Sequence, residues 1–148
     1  SIDLAAWLAE FCADYRETHT LSADRFGLVP AAEILPVETD PRHLHQIVSN
    51  LCDNALQHAS KGDEPARIEI HARHGSAHAN ALLEVADDGP GIPLNITRDI
   101  FSPFFTTSVS GTGLGLYIAR ELSEANGINL AYIAREKRGS CFRLTFPV

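Results

Sequence analysis

The sequence predicts one α/β domain built on a mixed β-sheet, and three observations carry that reading. The chain has 148 residues, a length that one hydrophobic core serves. Helical and strand periodicities are interleaved along it. Two pairs of strands are joined by short turns, as antiparallel hairpins require, so the sheet is not wholly parallel. With 45% hydrophobic and 21% charged residues, the composition is that of an ordinary globule.

Each element has a local cause. Leu4, Leu8 and Phe11 recur with Trp7, Cys12 and Tyr15 at helical spacing, predicting a helix over 3–17. Short β-rich runs follow at 25–29 and 33–38, around Pro30. Asp40-Pro41 then sets an N-cap residue before a proline at the first helical position. Leu44, Ile47, Val48, Leu51, Cys52, Ala55 and Ala59 continue that helix to about Ala59, before Lys61-Gly62. Residues 66–73 alternate Ile68, Ile70 and Ala72 with Arg67, Glu69, His71 and Arg73, a half-buried strand. Its hairpin partner is 81–86, across a turn from Gly75 to Asn80. Asp87-Asp88-Gly89-Pro90-Gly91-Ile92-Pro93 is loop by composition, with a short helix expected at 95–100. A segment rich in Phe, Thr, Ser and Gly leads to Gly113. The next helix spans Leu114 to Asn126 and stops at Asn126-Gly127. Strands at 128–134 and 140–146 flank a turn carrying Arg135, Lys137 and Arg138.

Composition excludes several functions. The net charge of −7 argues against a nucleic-acid binder, which would show a basic face. That charge is uneven: residues 1–74 hold 12 acidic and 6 basic side chains, residues 75–148 hold 7 and 6. The second half therefore repels a small polyanion less. Apolar runs are a few residues long against the ~20 that a membrane span needs, and no leader pattern opens the chain. Cys12, Cys52 and Cys141 are odd in number and far apart, which suits reduced thiols in the cytoplasm. A sequence without Met is expected to be a piece of a longer protein.

Three short patterns could carry chemistry. Gln46, Asn50 and Asn54 are four residues apart and share a stripe on the helix at 41–59, with Gln57 and His58 one turn on. Asn disfavours helix interiors, so a pair beside an apolar seam suggests a use; a neutral amide oxygen is a hard ligand suited to Mg²⁺. In Asp87-Asp88-Gly89-Pro90-Gly91, a carboxylate at a strand end can accept a bond from an exocyclic amino group such as adenine's, and glycines let a flat ring approach. Gly111-Thr112-Gly113-Leu114-Gly115-Leu116 opens a helix, where backbone N–H groups and the helix dipole favour phosphate. Taken singly, the first also fits a solvated helix face and the second a tight turn. The glycine run lacks the preceding strand of a dinucleotide-binding unit, and no P-loop pattern occurs. His71, His74 and His78 read as residues of a solvated hairpin rather than metal ligands.

The three patterns occur in an order that resembles sensor histidine kinases. His45-Gln46-Ile47-Val48-Ser49-Asn50-Leu51-Cys52-Asp53-Asn54-Ala55 is similar to their N box and Val85 to Ile92 to their G1 box. Ile100-Phe101-Ser102-Pro103-Phe104-Phe105-Thr106-Thr107 is similar to their F box, and Gly111 to Leu116 to their G2 box. The similarity runs from about Asp40 to Phe146. It implies a two-layer α/β sandwich, with about three helices on one face of a mixed sheet of about five strands. Residues 1–18 would then be a connector helix or the start of the domain, and 19–148 the ATP-binding catalytic domain.

The resemblance also implies roles for residues. Asn54 coordinates the Mg²⁺ that bridges the ATP phosphates, and Asn50 lies beside those phosphates. Asp87 reads the adenine amino group, with Gly89, Gly91 and Ile92 in the same loop. Residues 93–113 form a lid over ATP, anchored by burial of Phe101 and Phe104. Thr106, Thr107, Gly111, Thr112, Gly113, Leu114, Gly115 and Leu116 lie in the lid and the glycine run, around the nucleotide. There are departures. Gln46 stands where many relatives have a Glu that could act as base, and Gln57 where many have a Lys or Arg toward phosphate, leaving His58 or a lid residue to compensate. Ser110 stands where a further Gly is common.

The implied task is transfer of the ATP γ-phosphoryl group to a histidine of a separate dimerisation domain, and onward to a response regulator. None of the seven histidines is followed by the acidic residue such an acceptor carries, so the acceptor is expected outside this chain. The intact protein is expected to be a homodimer, with this piece in the cytoplasm and an anchor in a bacterial inner membrane. Tyr117 to Leu122 and Gly139 to Arg143 look closest to type IV pilus and nitrogen-regulation sensor kinases. A non-catalytic nucleotide-binding module of the same fold is the alternative. A gyrase-like ATPase clamp would need a Glu on the Asn helix, and none lies between Asp40 and Lys61.

Overall fold

The chain runs β1 (Ile2–Asp3), α1 (Leu4–Thr18), β2 (Phe26–Val29), β3 (Pro36–Val37), α2 (Pro41–His58), β4 (Ile68–His74), β5 (Ala81–Asp87), α3 (Gly115–Ala125), β6 (Asn129–Ala134) and β7 (Ser140–Phe146). These bounds come from a computed structural model that describes residues 1–31, 33–58, 66–106, 113–136 and 139–148. Five strands form one mixed sheet in the order β2-β4-β5-β7-β6. β2 is parallel to β4, and every other neighbouring pair is antiparallel. The expected α/β architecture of five strands and three helices is thus present.

Helices and sheet share one core. α1 buries Leu4, Leu8, Phe11, Cys12 and Tyr15, and α2 buries Leu44, Ile47, Val48, Leu51, Cys52 and Ala55. They meet Phe26, Ile68, Ile70, Leu83, Val85, Phe142 and Leu144 from the strands. Each large side chain so buried contributes roughly 1.5–3 kcal/mol. The same burial pushes the Cys12 thiol up to about 12 and the Cys52 thiol well above its ordinary value, so both stay protonated. Among the described residues no helix is long and apolar enough to cross a membrane.

Two side chains tie elements that sequence leaves apart. Asp3 Oδ1 accepts from Ala5 N at 3.1 Å, capping α1, and from Leu35 N at 2.8 Å. That second bond holds the 33–38 run beside the chain start, where β1 pairs with β3 as a separate two-stranded sheet. The expected strand at 33–38 shrinks accordingly to two residues. Asn126, the stop of α3, also accepts from Asp40 N at 3.1 Å and so joins the end of α3 to the start of α2.

Three sequence expectations are corrected. No helix forms at 95–100: Ile96, Asp99 and Ser102 donate to Pro93, Ile96 and Asp99, single turns spaced three apart that never overlap into a ladder. Phe104 is 73% exposed instead of buried. His71 is half-buried rather than fully solvated, and its Nε2 lies 2.7 Å from Oε1 of the buried Glu84. Glu84 also accepts from Arg143 Nε at 2.8 Å. Burial raises the Glu84 pKa, but Arg143 and His71 outweigh it and hold the carboxyl below its usual range. Hydrophobic partners alone could not satisfy a carboxylate there.

Candidate functional site

α2, the end of β5, the segment after it and the start of α3 enclose a cavity of about 460 Å³. Because 3.6 residues make a turn, the α2 residues four apart fall on one stripe. Asn50, Asn54, Gln57 and His58 of that stripe line the cavity. Asp87, Gly91 and Ile92 line it from the β5 end, and Thr106, Gly113, Gly115 and Leu116 from the opposite wall. Residues far apart in sequence are therefore brought to one space.

The α2 amides do different work. Asn50 Nδ2 donates to the Gly115 carbonyl at 3.0 Å, joining α2 to the first residue of α3. Its Oδ1 accepts from Gln46 Nε2 at 2.7 Å. Gln46 is exposed and does not line the cavity, so its contact with the site runs through Asn50. Asn54 is half-buried on the cavity wall, and no hydrogen bond among the described residues engages its amide. Burial holds the His58 pKa below its ordinary value, which favours the neutral ring.

Asp87 is 5% exposed and sits where β5 ends. Gly89 N donates to its Oδ1 at 2.9 Å. Burial raises the carboxyl pKa; backbone N–H groups of Gly89 and Ser140 and the Arg135 guanidinium oppose that rise. Asp88 next to it points elsewhere, its Oδ1 accepting from Arg67 N at 2.8 Å. Gly91 has φ +81°, and a β-carbon there would come within 3.2 Å of the Gly139 carbonyl. Ile92 N donates to the Tyr132 hydroxyl at 3.2 Å. Ile96, Ile100, Phe105 and Leu116 supply apolar wall. A partly apolar slot with a buried anionic acceptor suits a flat heterocycle that bears N–H donors.

At the other wall, Phe104 N donates to the Gly113 carbonyl at 2.8 Å. Phe104 adopts φ +65° and Gly113 φ +75°, and a β-carbon on Gly113 would collide with the Phe104 backbone. This pinning turns Phe104 outward. Phe101 packs edge-on against Phe142 at 6.1 Å instead, and Phe105 faces the cavity. Of the residues named from sequence, Gln46, Gly89, Phe104 and Leu114 do not line the cavity. Thr107, Gly111 and Thr112 lie outside the described residues.

Sequence reasoning missed Asp53, Ala55, Pro90, Pro93, Ile96, Ile100, Phe105 and Ser140, all cavity-lining. Phe105 carried a signal, being next to the chosen Phe104. Ser140 carried none, since only the β5–β7 register sets it opposite Asp87.

Residues 39–148 match the family described as histidine kinase-, DNA gyrase B-, and HSP90-like ATPase. The sensor protein kinase PilS of Pseudomonas aeruginosa is 37% identical over 145 residues, covering 98% of this chain and 27% of its own length. The sensor protein kinase WalK of Staphylococcus saprophyticus is 32% identical over 121 residues, 78% of this chain and 19% of WalK. The chain thus spans about a quarter or less of the length of these relatives. Among solved structures, the catalytic domain of histidine kinase ThkA superposes with a TM-score of 0.81 at 30% identity, covering 99% of this chain and 93% of that one. The chain belongs to the histidine kinase-, DNA gyrase B-, and HSP90-like ATPase family and is an ATP-binding domain of the sensor histidine kinase type.

Proposed function

We propose that this domain holds ATP with Mg²⁺ and presents the γ-phosphoryl group to a histidine on a separate dimerisation domain. The observation that carries the proposal is the convergence of the buried Asp87 carboxyl and the Asn50 and Asn54 amides on one cavity. In this reading Asp87 accepts a hydrogen bond from the adenine amino group, a charge-assisted bond of about 1.5–3 kcal/mol. Gly91 and Ile92 lie against the ring. Asn50 keeps α2 and the N-terminus of α3 together, so that the first amides of α3 can meet phosphate oxygens.

The residues present fit Mg²⁺. Asn54 offers a neutral hard oxygen on the cavity wall, and Mg²⁺ takes few protein ligands when phosphates and water complete its shell. The described residues hold no cluster of three or more His, Cys, Asp or Glu that would bind a metal without nucleotide. When bound, the ion neutralises charge on the phosphates. Gln46, through Asn50, and Gln57 and His58 complete the phosphate end. In-line phosphoryl transfer depends on positioning and charge stabilisation, so this part of the machine contributes by holding the donor.

The acceptor histidine, the homodimer, the response regulator and a bacterial membrane anchor belong, in this proposal, to the longer protein. In the same proposal the lid is 93–113, of which 107–112 lie outside the described residues, and the domain proper starts near residue 19. Calorimetry tests the site: ADP and ATP bind, and Asp87→Asn abolishes most of that affinity. Incubation with a cognate dimerisation domain and labelled ATP tests the chemistry. Phosphohistidine is the expected product, and binding without it identifies a regulatory module instead.

A further inference from the structure

We propose that Arg135 is a positioning residue for adenine recognition, holding the end of β5 by donating from its guanidinium to the Asp87 carbonyl. The inference rests on the nucleotide-site reading above and assigns a part of it that no motif contains. Arg135 follows β6 directly, and its Nη1 lies 2.8 Å from the Asp87 oxygen, across 48 residues of sequence. It does not line the cavity, so any effect on a ligand runs through Asp87.

Two other contacts of the β6–β7 arm fall on this residue, and a third holds the loop that follows it. Ser140 pairs with Asp87 in register, and its backbone N–H favours the ionised carboxylate. Gly139 packs so closely on the Asp87 carbonyl that a β-carbon would not fit, and it has φ +103°. Tyr132 receives the N–H of Ile92 at 3.2 Å and thereby holds the far end of the same loop. Asp88 is tied to Arg67 on the opposite side. The two neighbouring acids are thus pulled apart, and Arg135 sits on the side of the one that faces the cavity. Its fixed positive charge also favours the ionised carboxylate against the cost of burial.

The sign of the pH effect follows. Adenine recognition needs the Asp87 carboxylate ionised, so ADP affinity falls as pH drops through its pKa. The ionisable groups around it are Asp88 beside it, Tyr132 of β6 and Arg135 just after it, Arg67 behind Asp88, and Asp53 and His58 across the cavity from α2. Removing the Arg135 charge raises the Asp87 pKa, and the acid limb of ADP binding moves to higher pH.

Calorimetric ADP titrations of wild type, Arg135→Ala, Arg135→Lys and Asp87→Asn from pH 4.5 to 8 test this, with melting temperatures alongside. Arg135→Ala is expected to weaken ADP about three- to tenfold at pH 7.5 and to shift the acid midpoint up by about half a unit. Arg135→Lys is expected to restore the midpoint and most of the affinity. Unchanged affinity in Arg135→Ala overturns the inference. So does a loss that tracks melting temperature, leaves the midpoint in place and is not rescued by lysine. If wild type itself fails to bind ADP, or Asp87→Asn binds as well as wild type, the nucleotide reading falls first.

Discussion

The two ends of the cavity are built differently. At the β5 end, Asp87 is buried and gripped by backbone groups of Gly89 and Ser140 and by Arg135. At the α2 end, Asn50, Asn54, Gln57 and His58 stand on one helix face, and among the described lining residues there is no Lys or Arg. The first end is organised before a ligand arrives. The second presents amide dipoles, the His58 ring and the Asp53 carboxylate, with no described cation, to what would be the more highly charged part of ATP. The contrast teaches that affinity should come mainly from the base end and metal dependence from the other, because dipoles without an ion stabilise phosphate weakly.

Four changes would break or sharpen that contrast, taken from the largest effect down. Asp87→Asn should cost about 1.5–3 kcal/mol of ADP binding, roughly ten- to a hundredfold, by titration calorimetry at pH 7.5. A loss smaller than that of any α2 substitution would reverse the ranking of the two ends.

Glu84→Ala tests whether the base end depends on the sheet beneath it. The variant removes the acceptor of Arg143 and His71 on the face that carries alternate residues to Asp87. Urea unfolding should show a loss of about 2 kcal/mol, discounted because Arg143 and Arg73 are partly exposed. ADP affinity well below the melting temperature should be unchanged. Because the folded pKa of Glu84 lies below its ordinary value, its contribution is present above the usual carboxylate range and is lost as pH falls through the folded value. Unfolding at pH 7 and pH 3 should therefore differ less in Glu84→Ala than in wild type.

Asn54→Ala should leave ADP binding in chelator nearly intact while removing about tenfold (~1.4 kcal/mol) of the gain that Mg²⁺ confers. An equal loss with and without metal would remove Asn54 from the ligand set. The smallest effect is a gain. Gln57→Lys places a cation on a wall where no described lining residue is Lys or Arg, and should tighten ATP about two- to fivefold, most visibly at low salt.

Much of the fold is legible because its cause is local. The i, i+3, i+4 run from Leu44 to Ala55 and the cap at Asp40 need only helix geometry, and α2 appears where that pattern lies. The alternation at 68–72 identifies β4 for the same reason. The misread parts depend on partners elsewhere. His71 looked solvated because its alternation matches an outward strand face, but Glu84 of the next strand stands opposite it. Phe104 looked buried from the resemblance to the F box, but its backbone, bonded to Gly113 at φ +65°, leaves the ring exposed. Gln46 looked like a cavity residue from its stripe, yet its amide is spent on Asn50 at the rim.

By itself the sequence determined the α/β class and the helix that carries the asparagines, because periodicity and spacing are properties of neighbouring residues, and it held the ordered motifs whose resemblance to sensor histidine kinases points to ATP. Only the tertiary structure decided what holds Asp87, which phenylalanine faces the cavity, and how the two ends differ in charge. Those depend on strand register and chain crossings that bring Arg135 and Ser140 to Asp87 from 48 and 53 positions away. No local pattern encodes a contact at that separation, since its energy exists only once the sheet has formed.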